Sequence, residues 1–285
     1  MEGWVKIILV IWGMVMGAVM GSFACCQAWR IRMREEGKNL GKRSVCLSCG
    51  KKLRWYENIP IVSWVVQKGR CRGCGKKIGK AEIVCEVLGA VIFGVLFWAF
   101  LGKYEKLVGV NLYDERGLAF LVIQSVIVVI FTTIMFVLAI YDARWRVLPT
   151  KLLYAGIAVG AIYLLTKMFE AEGVSGMDWF GMKMEMEGWM KVAIEAVGAV
   201  AILGGVYYLL YFFSKEKLVG GGDYILGTAI ALVMGTPWLA LWVLFLSNFL
   251  GVLVMVPMRK KKFAFGPFLF AAFAIVFVVV GVFGI

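Results

Sequence analysis

The chain has 285 residues, 62% of them hydrophobic, and a formal net charge of +13. Apolar runs such as 118–140 and 263–285 reach the roughly 20 residues that a helix needs to cross a bilayer, which excludes a soluble globular protein and indicates a polytopic membrane protein. Histidine is absent, so Ser-His and Cys-His catalysis are excluded and acid–base work falls to carboxylates, Lys, Tyr or Cys.

The first apolar run, 4–23, lacks a strongly basic stretch before it and reads as a membrane span rather than a cleaved signal. It carries Gly13, Gly17 and Gly21, a ladder at spacing four that permits close helix contact. Residues 25–82 follow, with fifteen Lys and Arg against four acids, a net of +11. That excess marks a cytoplasmic loop and anionic lipid headgroups, which accounts for the charge without nucleic acid as a partner. Inside this block Cys46-Leu47-Ser48-Cys49-Gly50-Lys51-Lys52 is echoed by Cys71-Arg72-Gly73-Cys74-Gly75-Lys76-Lys77. Cys46, Cys49, Cys71 and Cys74 suit a tetrahedral structural zinc site, with a pair of disulfides as the alternative that a reducing cytoplasm disfavours. Four thiolates leave no open position for catalysis at the metal. Between the knuckles, the mixture Arg54-Trp55-Tyr56-Glu57-Asn58-Ile59-Pro60 reads either as the packing of a small metal-stapled domain or as a partner-binding face. Cys25, Cys26 and Cys85 read as apolar filler at membrane borders.

A second span over 83–101 holds Glu86 near its cytoplasmic end, where an acid is either interfacial or functional. The loop 103–117 balances three bases with three acids and is read as external. The third span, 118–141, returns to the cytoplasmic face and ends at Asp142, with Pro149 placed to open the fourth span, 152–166. Residues 167–191 are net negative and Met-rich, which predicts an external amphipathic segment on the membrane surface. A fifth span, 192–213, descends to Gly220-Gly221-Gly222-Asp223. The remaining spans are predicted at 218–234, 238–256 and 263–285, with Gly235-Thr236-Pro237 as a turn and Arg259-Lys260-Lys261-Lys262 as a cytoplasmic marker. Eight spans with both termini external satisfy every charged loop.

On that count Asp142 and Asp223 share one membrane face. Two carboxylates a few ångströms apart do not both ionise readily and share a proton, so one can activate water while the other protonates a peptide carbonyl. Their titration is a property of the pair. The bare glycines Gly220, Gly221 and Gly222 would let an extended substrate backbone approach and let Asp223 move towards Asp142.

These residues resemble those of type IV prepilin peptidases, membrane aspartyl proteases of the GxGD class. The likeness rests on Gly21-Ser22-Phe23 with Arg30, the paired knuckles, the Arg54–Pro60 stretch with Ser63-Trp64, Gly69-Arg70-Cys71, Glu86, Asp142 with Pro149, and Gly220-x-Gly222-Asp223. The family commonly has Asn where this chain has Cys25 and Lys where it has Ile225. The resemblance implies cleavage of the basic leader of prepilins or pseudopilins at the cytoplasmic face of a bacterial inner membrane. It also implies N-methylation of the new terminus with S-adenosylmethionine, for which no GxGxxG fingerprint appears in the chain. A basic leader is not drawn to a loop of net +11, so local acids would receive it, with Glu57, Glu86 and the aspartate pair as candidates.

The architecture expected is therefore an all-α polytopic membrane protein of about eight transmembrane helices with a small cytoplasmic zinc-knuckle domain. Its parts are a first helix over 1–24, the cysteine domain over 25–82 and the peptidase domain over 83–285. A peptidase without methyltransferase activity, an ion-coupled transporter and a scaffold are the alternatives.

Overall fold

The computed structural model describes residues 3–38, 43–46, 48–109, 115–171, 175–179, 182–215, 219–258 and 264–283. The chain divides into two compact units, Met1–Lys103 and Tyr104–Ile285. Among the described residues, each of the eight expected spans overlaps a helix. Among the described residues, six helices are long and apolar enough to cross a membrane, and two apolar helices are shorter.

In the N-terminal unit, α1 (Gly3–Glu35) leads to a short 3-10 turn (Trp55–Asn58) and α2 (Val62–Val66), and α3 (Lys80–Gly109) follows. The glycine ladder is the contact between α1 and α3. A Cβ on Gly17 would collide with the Gly89 carbonyl, one on Gly21 with the Cys85 carbonyl, and one on Gly13 would sit 2.6 Å from the Phe97 ring. The helices thus meet backbone to backbone, which lipid-embedded helices favour because hydrocarbon offers no hydrophobic drive to pair. Gly17→Leu is expected to cost about 1–3 kcal/mol by overpacking, read as a lower thermal midpoint in detergent; an unchanged midpoint would show that this contact is dispensable.

In the second unit, α4 (Glu115–Trp145) is followed by α5 (Thr150–Glu170), capped by Pro149, whose missing N–H does no harm there. Residues Ser175–Trp179 and Met182–Glu187 then form an antiparallel hairpin, β1 and β2, pairing Asp178 with Lys183 and Trp179 with Met182. The stretch expected to lie on the membrane as an amphipathic segment is a hairpin here. Its Met-Lys-Met-Glu-Met-Glu run alternates with period two, the strand pattern, and not with the helical period. The remainder of the chain keeps to the helical plan. α6 (Gly188–Val200), a π-helical turn (Ala201–Gly205) and α7 (Val206–Ser214) run on as one apolar rod of 27 residues.

α8 (Gly221–Met234) is the central helix, with Leu226, Gly227, Ala229, Ile230, Ala231, Val233 and Met234 all buried. It packs on α5, α6, α7, α9 (Pro237–Met258) and α10 (Gly266–Phe283). Its 14 residues give a length of about 21 Å, short of the roughly 30 Å hydrocarbon core. Gly235, at φ 73°, ends it by donating to the Ala231 carbonyl, 2.9 Å away, and Pro237 opens α9. α4 and α10 meet through aromatic pairs, Phe131 with Phe273 and Phe136 with Phe270, each at 5.4 Å. Large apolar side chains such as Ile7, Ile11, Val126, Phe213 and Phe245 stay exposed, as hydrocarbon rather than water requires. Lys217 and the basic marker 259–262 lie outside the described residues.

Candidate active site and metal centre

Asp142 stands near the end of α4 and Asp223 in the first turn of α8, and both are buried. The two carboxylates lie close enough for each charge to act on the other. Each is gripped by one backbone N–H. Gly266 donates to Asp142 Oδ2 at 2.8 Å from the start of α10, and Gly220 donates to Asp223 Oδ2 at 3.0 Å. The second bond is a helix-start device, in which an acid at the third position reaches back to the first orphan N–H and faces the positive end of the helix. Arg146, beyond the end of α4, adds a positive charge in the field of Asp142.

The glycines divide by what surrounds them. A Cβ on Gly222 would sit 2.7 Å from Leu148 Cδ1, so the α4–α5 connection packs directly on this glycine. Tyr211 lies over Gly221, 3.4 Å from where a Cβ would stand. Gly220 is exposed, and its nearest such neighbour is the Asp223 carboxylate itself at 3.4 Å. Close packing within the chain thus uses the bareness of Gly222 and Gly221, whereas Gly220 stays exposed.

Gly266, Leu148 and Tyr211 belong to the site and carry no motif by which the sequence would single them out. The one available signal is Gly266-Pro267 at the entry of the last apolar run. A Cβ at Gly266 would stand 2.9 Å from Asp142 Oδ2. Gly266→Ala is therefore expected to displace the carboxylate and lower kcat for cleavage by about tenfold or more, since small misplacements of reacting groups are costly. Cleavage kinetics equal to those of the unaltered protein would remove Gly266 from the site.

Cys46, Cys49, Cys71 and Cys74 come together with all four sulfurs within 4.8 Å of one another, and none is in a disulfide. Tetrahedral Zn–S bonds of about 2.3 Å separate sulfurs by about 3.8 Å, so the cluster fits a zinc ion held by four thiolates. Each knuckle is a tight turn closed by a glycine at φ 70°. The Gly50 N–H donates to the Cys46 carbonyl at 2.9 Å and the Gly75 N–H to the Cys71 carbonyl at 2.8 Å. The N–H groups of Cys74 and Gly73 donate to Cys71 Sγ and favour its thiolate, the form that ligates a metal.

Glu57 and Glu86 are built into the framework of the N-terminal unit. Buried Glu57 accepts from the Arg54 N–H at 2.9 Å and from Lys51 Nζ at 3.2 Å, and these partners, the backbone bond first, hold its carboxyl below the usual range. Beside it Arg72 lies over the Tyr56 ring at 5.5 Å. The side chains of Tyr56 and Glu57 thus pack the cysteine domain, while Trp55 is 80% exposed. Glu86 accepts from the Ile61 N–H at 2.7 Å and from the Ser22 hydroxyl. Ile61 is the centre of a three-residue turn with φ 61° and ψ −53°, closed by Val62 N–H to Pro60 carbonyl at 2.6 Å. A β-branched residue there stores strain of about 1–3 kcal/mol, and the Glu86 carboxylate is one of the groups that hold it.

Residues 15–100 match the model of the bacterial peptidase A24 N-terminal domain, and residues 129–256 match that of the type IV leader peptidase family. The first match takes in the four cysteines and the second both aspartates. The chain is thus similar to the type IV leader peptidase family over both of these parts. Among curated proteins it is similar to the prepilin leader peptidase/N-methyltransferase of Dichelobacter nodosus, 26% identical over 79% of this chain and 67% of that protein. Proteins of the same name from Vibrio cholerae (23% identical; 78% of this chain, 76% of that protein) and Neisseria gonorrhoeae (26%; 82% and 70%) are similar as well. No solved structure matches the chain.

Proposed function

We propose that the protein belongs to the type IV leader peptidase family, cleaves the leader from prepilins or pseudopilins and N-methylates the terminus it creates, with Asp142 and Asp223 as the catalytic pair. The observation that carries the peptidase reading is the pair itself: two buried carboxylates on different helices, each fixed by a backbone N–H and each within the other's field. Sharing one proton, the pair supplies a base and an acid at once. The ionised carboxylate takes a proton from water, whose oxygen adds to the scissile carbonyl carbon while the protonated partner donates to the carbonyl oxygen. As the tetrahedral adduct collapses, the C–N bond breaks, the leaving nitrogen receives a proton from the pair, one hydroxyl of the adduct returns its proton to the pair, and the leader departs as a carboxylic acid. Gly220 gives the substrate backbone its approach, and Gly221 and Gly222 let Tyr211 and Leu148 close around the start of α8.

The four cysteines hold a structural zinc, and Glu57 and Glu86 support the folding of the segment around it. S-adenosylmethionine is the methyl donor. The protein sits in a bacterial inner membrane with both termini external and the pair towards the cytoplasm, where the net +11 of residues 25–82 is retained.

The deciding experiment is mass spectrometry of a prepilin after incubation with the purified protein and S-adenosylmethionine. The expected product has lost its leader and gained the mass of one methyl group. An intact prepilin would overturn the peptidase reading, and a cleaved but unmethylated product would restrict the activity to proteolysis.

A further inference from the structure

The aspartates are each held by a backbone N–H. The helices around them also enclose a buried tyrosine for which sequence pattern gave no role. Tyr207 is fully buried in α7, immediately after the π-helical turn Ala201–Gly205. One extra residue in a turn rotates everything beyond it by about 100°, and such insertions gather at functional sites. Here the turn is fitted closely to α8, since a Cβ on Gly204 would collide with the Thr228 hydroxyl.

The Tyr207 ring touches both arms of the pair. Towards α8 it covers Gly227, whose Cβ would lie 3.2 Å from Tyr207 Cδ2, one turn beyond Asp223. Towards α10 it meets Phe265 edge-on at 5.4 Å, and Phe265 precedes the glycine whose N–H grips Asp142. The hydroxyl is tied to α9. Ser247 gives its own proton to the Leu244 carbonyl at 3.0 Å, which leaves its oxygen to accept from Tyr207 at 2.9 Å, and Asn248 donates to the Tyr207 oxygen at 3.1 Å. The Asp223 charge reaches this hydroxyl.

We propose that Tyr207 is a positioning residue for the catalytic pair: its ring is the spacer between the start of α8 and the Phe265-Gly266 turn, and its hydroxyl, tied to Ser247 and Asn248, fixes the depth of that spacer. The inference rests on the aspartate pair being catalytic. An ordinary core tyrosine would support folding alone, so the two roles separate in kinetics measured per mole of folded protein.

The test compares Tyr207→Phe, which keeps the ring and loses the tether, and Ser247→Ala, which keeps the tyrosine and loses its acceptor, using a purified prepilin and detergent-solubilised full-length protein. Tyr207→Phe is expected to lower kcat about ten- to a hundredfold with KM within about twofold, and Ser247→Ala to lower kcat in the same direction by less. Wild-type kcat in Tyr207→Phe overturns the proposal. Should that variant not fold, wild-type kcat in Ser247→Ala overturns it instead. Asp223→Asn, run in parallel, keeps the two readings apart: cleavage by that variant sinks the catalytic pair itself, whereas its inactivity beside a fully active Tyr207→Phe sinks only the role of Tyr207.

Discussion

Asp142→Asn and Asp223→Asn each abolish leader cleavage, a fall expected on the order of 10⁴-fold in kcat, while the protein still accumulates in membranes with its helices intact. Asparagine is nearly isosteric and keeps an acceptor oxygen, so the 2.8 Å bond from Gly266 and the 3.0 Å bond from Gly220 both have a partner in the variants. What is lost is the ability to take and return a proton. The variants should be at least as stable as the parent, because each replaces one of two like, buried carboxylates by a neutral group. Inactivity together with an unchanged or raised thermal midpoint is therefore the signature of a catalytic pair. Substantial cleavage by either variant would falsify it, and inactivity with a collapsed midpoint would mark the carboxylates as structural.

Loss of the metal should be nearly as drastic for the segment between α1 and α3. The described residues of 43–79 hold little regular structure: two isolated bridges, Val45 with Lys52 and Arg70 with Lys77, a 3-10 turn and the five residues of α2. With so small a core, folding there draws on metal binding, worth roughly 10–16 kcal/mol in comparable zinc peptides. Cys46→Ser or Cys74→Ser is expected to lower zinc from one equivalent towards none, by elemental analysis of the purified protein, and to open this segment to limited proteolysis. Acidification acts in the same direction. Thiolates must stay deprotonated to ligate, so metal is held at neutral pH and released as pH falls. Glu57, whose carboxyl is held below its ordinary value by the Arg54 N–H and by Lys51 against the opposing effect of burial, stabilises the fold above its unfolded value, and that contribution is lost as pH falls through the folded one. A segment that resists protease equally with and without zinc would refute the metal's structural role.

Several features were legible in the sequence because the physics behind them is local. A bilayer demands about twenty apolar residues per crossing, so counting places apolar runs that each overlap a helix, six of them long enough to cross. Paired cysteines at spacing three make a knuckle within one turn. Gly13, Gly17 and Gly21 lie on one helix face by periodicity alone and form the contact with α3. The form of the segment at 175–187 was not specified by its composition, although the period of two in its second strand is that of a hairpin.

What the sequence by itself determined was therefore the membrane class, the apolar runs, the grouping of the four cysteines and two acids at the ends of apolar runs. Only the tertiary structure decided that Asp142 and Asp223 lie within each other's field, that the Gly266 N–H holds one of them, that Leu148 occupies the space bared by Gly222, and that Glu86 grips the strained turn at Ile61. The reason is physical. Apolar helices in lipid look alike in pattern, and nothing local says which neighbours pack or how each is rotated. That choice is made by small residues admitting close approach, by interlocking side chains such as Phe131 with Phe273, and by one π-helical turn that points Tyr207 inward, a single-residue change of phase that composition does not record.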